Sequence, residues 1–335
     1  MTGLRVLTMV TLALVALGIR PVEAHHHQDR WTIEDLLEVT GRPFAIGQKG
    51  FGDNQGSDPT RPIENTVASI RKAFEAGVGV VEIDVQITRD REVAVFHDDF
   101  LSDFTCVNKL TFAELRRRLP FVPRLEEVLD ETLKFNRPPG PLGGLIIIEL
   151  KAAAPLCDPR DTQDPVTVAE VSRVVRQRKM ANQVMFTSFS PALLYLASEH
   201  APEITRDLSI SGLQFLTAQQ IEALLGYPVT LINKRLALGL QWAEIGPIYR
   251  LPGYASVDEV IATAGTVRAR VIEADLFFLQ SGCTAYVDAV HAFGLKALGF
   301  VATDPQEWFF MQALGLDGIY TDDVPFGVAH QAPLP

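Results

Sequence analysis

Cysteine is scarce, with three in 335 residues, and neither a CxxC pair nor a zinc-type Cys/His spacing occurs, which argues against metal bound through sulfur. Basic residues are also few. Thirty Lys and Arg stand against 41 Asp and Glu, giving a net charge of -11. No Lys/Arg cluster supplies the local positive field that a phosphate backbone requires, so nucleic acid is not an expected partner. No GxGxxG fingerprint, Walker loop or GxSxG elbow is present. Beyond the first 24 residues no stretch reaches about 18 apolar residues without charge, so no stable membrane insertion is expected of the mature chain. What is present is core material: 47% of the residues are hydrophobic and 21% charged, which excludes disorder, collagen and coiled coil. The length fits two average domains or one large barrel.

The N-terminus reads as an export signal. Arg5 precedes an apolar run over residues 6–19, and Val22-Glu23-Ala24 places small residues where a signal peptidase cleaves. Residues 1–24 are therefore expected to be removed, leaving a secreted or periplasmic protein that starts at His25, with residues 25–42 as an N-terminal extension. His25, His26 and His27 in a polar terminus read as a flexible end rather than a metal site.

From Pro43 onward, short β-rich apolar runs alternate with segments of helical period, the pattern of parallel strands linked by helices. Strands are predicted at 44–47, 80–87, 93–97, 145–150, 184–188, 207–211, 271–277, 295–302 and 318–321. That is one more than a closed eight-stranded barrel needs. Helices are predicted at 64–76, 166–178, 191–201, 218–225 and 304–314. Ser190-Pro191 and Asp304-Pro305 pair a capping oxygen with a proline whose dihedral is already helical. Residues 227–254 are Pro/Gly-punctuated and aromatic, and are expected to form an irregular insertion in a single α/β domain over 43–335.

Three strand ends carry unexpected charge. Glu82 and Asp84 lie two residues apart on an apolar strand and so share a face; Glu149 and Lys151 do the same at the end of a run fit for a buried strand. A third apolar run closes on His97. Charges at the carboxyl ends of buried strands are where barrel enzymes keep their sites, and three such ends point to one shared site. Carboxylate oxygens without cysteine favour a hard cation, Mg²⁺ or Ca²⁺. A cation on Glu82, Asp84 and Glu149, with Lys151 balancing phosphate charge and His97 passing a proton to a leaving alkoxide, suits phosphodiester cleavage.

In order, Ile63-Glu64-Asn65-Thr66, Glu82-Ile83-Asp84-Val85, His97-Asp98, Glu149-Leu150-Lys151, Thr187-Ser188-Phe189 and Asp317 to Asp322 resemble the motifs of the glycerophosphodiester phosphodiesterase family, which covers most of the mature chain. The resemblance implies a (β/α)8 TIM-type barrel and a small-molecule glycerol phosphodiester substrate. It also implies Glu82, Asp84 and Glu149 as metal ligands, Lys151 as a phosphate contact and His97 as general acid. The chain departs from the family at its opening His-Arg-Gly motif, where Gln48-Lys49-Gly50 stands. Lys49 keeps a positive charge for substrate, but Gln48 has no proton to trade near neutral pH. A family Trp is replaced by Phe300, which keeps an apolar wall, and residues 53–61 lengthen the first loop.

The departure leaves three readings: an exported hydrolase of deacylated phospholipid head groups, a degenerate barrel that binds a phosphodiester or lipid head group without turnover, and a phosphodiesterase acting on intact lipids. In a barrel, Cys106 and Cys157 fall on neighbouring loops beyond the strands ending at His97 and Glu149, so they are expected to pair in an oxidising compartment, leaving Cys283 free.

Overall fold

The computed structural model describes residues 30–160, 162–217, 220, 223, 252–281 and 285–335. The signal segment, His25 to His27, the predicted helix at 218–225 apart from residues 220 and 223, nearly all of the 227–254 insertion, and Cys283 lie outside the described residues.

Eight parallel strands close into a barrel: β1 (Phe44–Gly47), β2 (Val80–Ile87), β4 (Leu145–Leu150), β5 (Val184–Ser188), β6 (Thr205–Ile210), β7 (Val271–Asp275), β8 (Lys296–Ala302) and β9 (Gly318–Thr321). Closure comes from the pairing of Ile46 with Val80 and of β1 with β9 along its full length. The surplus strand, β3 (Val93–Val95), is not a barrel stave. It runs antiparallel to β2, pairing Val85 with Val95 and Ile87 with Val93, so β2 and β3 form a hairpin rising above the barrel. Alternation sorts the side chains into two cores. One face of each strand packs outward on the helices, with Ile70, Ala73 and Phe74 of helix Val67–Glu75 against Val81 and Ile83 in a single cluster. The other face fills the barrel's lower interior with Phe44, Ile46, Val80, Leu145, Ile147, Met185, Val271 and Leu298.

The N-terminal extension completes that interior. Helix Ile33–Leu37, started by a Thr32/Asp35 capping box, puts Ile33, Leu36 and Leu37 into the same cluster. Its end of the barrel is fixed by Ile33 N–H donating to the Asn182 carbonyl at 2.8 Å.

Several boundaries differ from the sequence expectation for local reasons. The first large helix begins at Val67 rather than Glu64, because the Thr66 hydroxyl accepts from Ser69 N–H and ends the extended approach. β7 stops at Asp275, two residues short of Phe277, since that carboxylate caps helix Leu276–Gln280 through Phe278 N–H at 2.8 Å. β3 ends at Val95, so His97 stands on a loop. Helices Ile33–Leu37, Phe112–Arg118, Leu125–Thr132, Val257–Thr266, Leu276–Gln280 and Val324–His330 were not anticipated.

Cys106 and Cys157 form a disulfide that spans 51 residues. It ties the loop after His97 to the loop after Lys151, and Asn108 Nδ2 donating to the Cys157 carbonyl at 3.2 Å reinforces the tie. In the chain-entropy model a closed loop of this length stabilises by about 4 kcal/mol. Thiol titration of denatured, unreduced protein is therefore expected to find one reactive cysteine, and reduction to lower the unfolding free energy by a comparable amount. Three reactive thiols would refute the pairing.

Candidate active site

The register of the first strands builds the site. Asp84 on β2 pairs with Glu149 on β4, and Glu82 sits one interior layer below with Ile147 as its neighbour. Because β2 and β4 are adjacent staves, the three carboxylates converge: ligand oxygens of Glu82, Asp84 and Glu149 lie within 4.8 Å of one another. No other group of this kind occurs among the described residues. Lys151 enters between two of them, its Nζ 3.0 Å from Asp84 Oδ1 and 2.8 Å from Glu149 Oε1.

Each acid is held by a different device. Asn65 clamps Asp84 at two points, its Nδ2 donating to Oδ2 at 2.7 Å and its Oδ1 accepting the Asp84 backbone N–H at 3.0 Å. Asn65 does this from a left-handed backbone, φ 56°, which asparagine tolerates better than most residues. Glu82 Oε2 accepts the backbone N–H of Lys49 at 3.0 Å, while Glu82 Oε1 is buried with no hydrogen-bond partner.

Burial pushes Glu82 well above the usual carboxylate range, and the charges of Asp84 and Glu149 push it further. Burial likewise raises Glu149 to about 7, against the pull of Lys151. Asp84 goes the other way: burial opposes ionisation, but Lys151, His97 and Lys49 together hold its carboxyl well below the ordinary value. Three crowded acids and one orphaned buried oxygen form a donor set that a hard divalent cation satisfies.

His97 arrives from the side. After β3 the chain returns to the level of Asp84, where Phe96 N–H donates to the Asp84 carbonyl at 3.0 Å, and Gln86 Nε2 donates to the His97 carbonyl at 3.2 Å. Its Nδ1 lies 2.7 Å from Asp98 Oδ1, which orients the ring. Burial and the nearby Lys151 lower its pKa, with Asp84 and Asp98 opposing. The acids, Lys151 and His97 all line one cavity of about 190 Å³ at the carboxyl end of the barrel.

The model of the glycerophosphoryl diester phosphodiesterase family matches residues 55–325. The chain belongs to this family, one of phosphoric diester hydrolases. A glycerophosphodiester phosphodiesterase of Bacillus altitudinis is 27% identical over 156 residues, covering 42% of this chain and 58% of that protein. Among solved structures, a proposed glycerophosphoryl diester phosphodiesterase of Silicibacter pomeroyi DSS-3 shares the fold with a TM-score of 0.65 at 23% identity, over 89% of this chain and 95% of that one. A phosphodiesterase of Oleispira antarctica, solved with the product sn-glycerol-3-phosphate, gives a TM-score of 0.58 at 20% identity, over 86% and 96%.

The residues at the family's altered positions stand on the same cavity wall: Gln48, Lys49 and Phe300 all line it. Gln48 Oε1 is buried without a partner. Lys49 turns its ammonium to Glu64 at 3.2 Å and Asp53 at 3.3 Å, so its charge is already engaged. Phe300 stacks edge-on with Phe189 and Tyr320. Asp53, Thr187, Tyr320 and Asp322 also line the cavity and were not assigned roles from the sequence, and Glu273, which the sequence offers beside Asp275 as an alternative base, lines it as well. A carboxylate inside an apolar strand was the available signal for Glu273. Its Oε1 accepts from Thr187 at 2.8 Å and Ser209 at 2.5 Å, and its Oε2 from the Tyr320 hydroxyl. Asn65 stood in one of the family motifs but was given no role, because that role depends on where a loop returns.

Asp84→Asn is expected to weaken divalent-cation affinity at least about tenfold and to abolish most turnover per folded molecule, and to lower the unfolding temperature because the buried Lys151 ammonium loses one partner. Calorimetric metal titration of parent and variant checks this, and unchanged affinity would remove Asp84 from the ligand set.

Proposed function

We propose that this protein is an exported, metal-dependent glycerophosphodiester phosphodiesterase that releases glycerol 3-phosphate and an alcohol. The observation that carries the reading is the convergence of Glu82, Asp84 and Glu149 with Lys151 and His97 on one cavity. Glu82, Asp84 and Glu149 would hold the cation, Mg²⁺ or Ca²⁺, which when bound supplies Lewis-acid stabilisation of charge on a phosphoryl oxygen. Lys151 presents its ammonium to the phosphate from the same edge. His97, its Nδ1 held by Asp98, exchanges a proton at Nε2 and serves the departing alkoxide as general acid. Gln48 offers an amide that orients a phosphate oxygen or an attacking water, and Lys49 and Phe300 bound the substrate on the remaining wall. The Oleispira product complex supports the product class. The disulfide and the signal-like N-terminus support a secreted or periplasmic location, which N-terminal sequencing of the mature protein, expected to begin at His25, would test.

The alternative, a barrel that binds without turnover, rests on Gln48 alone. An acid or base in position contributes about 10²- to 10⁴-fold, so its loss slows a site that keeps its other parts. Purified protein is expected to hydrolyse glycerophosphocholine slowly with a divalent cation and not with a chelator. Gln48→His is expected to raise the rate at least about tenfold, with His97→Ala as the inactive reference. No turnover by either protein would favour the binding reading, and a flat response to Gln48→His would place the base elsewhere, Glu273 first.

A further inference from the structure

His97 lines two cavities. One is the charged cavity of the candidate site, and the other, about 440 Å³, opens on its far side between the 53–65 loop and the β2–β3 hairpin region. The two differ in chemistry. The second is walled by Ile63, Phe96, Phe100, Leu101, Leu119 and Phe121, with the Arg118–Asp103 ion pair, 2.9 Å long, also on its lining. Its volume lies within the range of small-molecule sites. It does not end there: a shallower groove shares Ile63 and Phe121 and continues over Val67 and Pro123. Phe121, 38% exposed, stands where the two meet. An apolar ring held half in water at a junction of grooves is what an apolar ligand would cover.

We infer that this groove is the leaving-group subsite, and that the departing alcohol carries an aliphatic chain. The inference rests on the hydrolase reading above. The phosphorus sits with the acids and Lys151, and the general acid must reach the oxygen that leaves, so the departing alcohol lies on the His97 side. That side sets the apolar row of Ile63, Phe96, Phe100 and Phe121 among polar groups, Glu64, Asn65 and Asp98, and it continues into the second groove. A small cationic or polyol head group would leave Phe96, Phe100 and Phe121 facing water, whereas an alkyl chain running from His97 past Ile63 and Phe121 removes their surface from it. The reaction is unchanged: water is consumed, the phosphorus–oxygen bond to the alcohol breaks, and the proton from His97 ends on that alcohol.

A series of glycerol phosphodiesters whose departing alcohols are ethanol, butanol, hexanol and octanol tests this, each below its critical micelle concentration and with the divalent cation present. Full burial gives up to about fourfold per methylene, so kcat/KM is expected to rise at least about tenfold from butyl to octyl. Phe121→Ala and Ile63→Ser are each expected to lower the octyl-to-ethyl ratio, and octanol to inhibit more strongly than ethanol. Equal kcat/KM across the series, or a rise that both variants leave intact, would overturn the assignment. So would a dimer that Phe121→Ala dissociates, which would give the groove to a second copy of the chain. Failure to hydrolyse any ester would count against the hydrolase reading instead, and calorimetric binding of the octyl over the ethyl ester would then still uphold the groove.

Discussion

Lys151, almost fully buried between Asp84 and Glu149, is the contact on which the upper half of the barrel depends. An ammonium taken out of water is costly unless its partners are close and ionised, and carboxylates crowded on adjacent staves are costly for the same reason. Each makes the other tolerable. Burial would lower the Lys151 pKa, but the two carboxylates outweigh it and hold the side chain charged. The arrangement is still one positive charge against three acids, and that imbalance, together with the unpartnered Glu82 oxygen, is a donor set that could hold a cation.

The barrel divides its interior to accommodate this. Below the acids the layers are aliphatic and sealed by helix Ile33–Leu37, so the structure's stability comes from surface that plays no part in the chemistry. Between the two zones lies a ring of hydroxyls and acids. Thr187, Ser209 and Tyr320 donate to Glu273, and Asp207 beneath is pushed well above the usual carboxylate range by burial and then by Glu273. Glu273 leaves none of the three hydroxyls without an acceptor, whereas both Asp207 oxygens are buried without a hydrogen-bond partner.

His97 is supported differently, since no stave carries it. It hangs from the return arm of a hairpin, and three things fix that arm: the Phe96 bond to the Asp84 carbonyl, the buried Asp99 accepting Ala154 N–H at 3.3 Å, and the Cys106–Cys157 disulfide. Burial raises the Asp99 carboxyl to about 7. The same hairpin forms one wall of the second cavity, so the element that positions His97 also shapes the space beyond it.

The sequence by itself determined the class of fold and nearly all of the charged site. Parallel strands buried on both faces need continuous apolar runs, and any charge within them stands out, so Glu82, Asp84, Glu149 and Lys151 were legible as exceptions to a local rule. Short motifs in fixed order carried the family, and Gln48 was visible because it stands where the family's opening motif has its His. Tertiary structure alone decided the rest. Whether the run at 93–95 is a ninth stave or a hairpin arm depends on its hydrogen-bond partner, which periodicity does not encode. The Asn65 clamp, the engagement of Lys49 by Glu64 and the second cavity beyond His97 arise where loops distant in sequence meet. Such contacts depend on chain path and not on local residue pattern, which is why no run of neighbouring residues announces them.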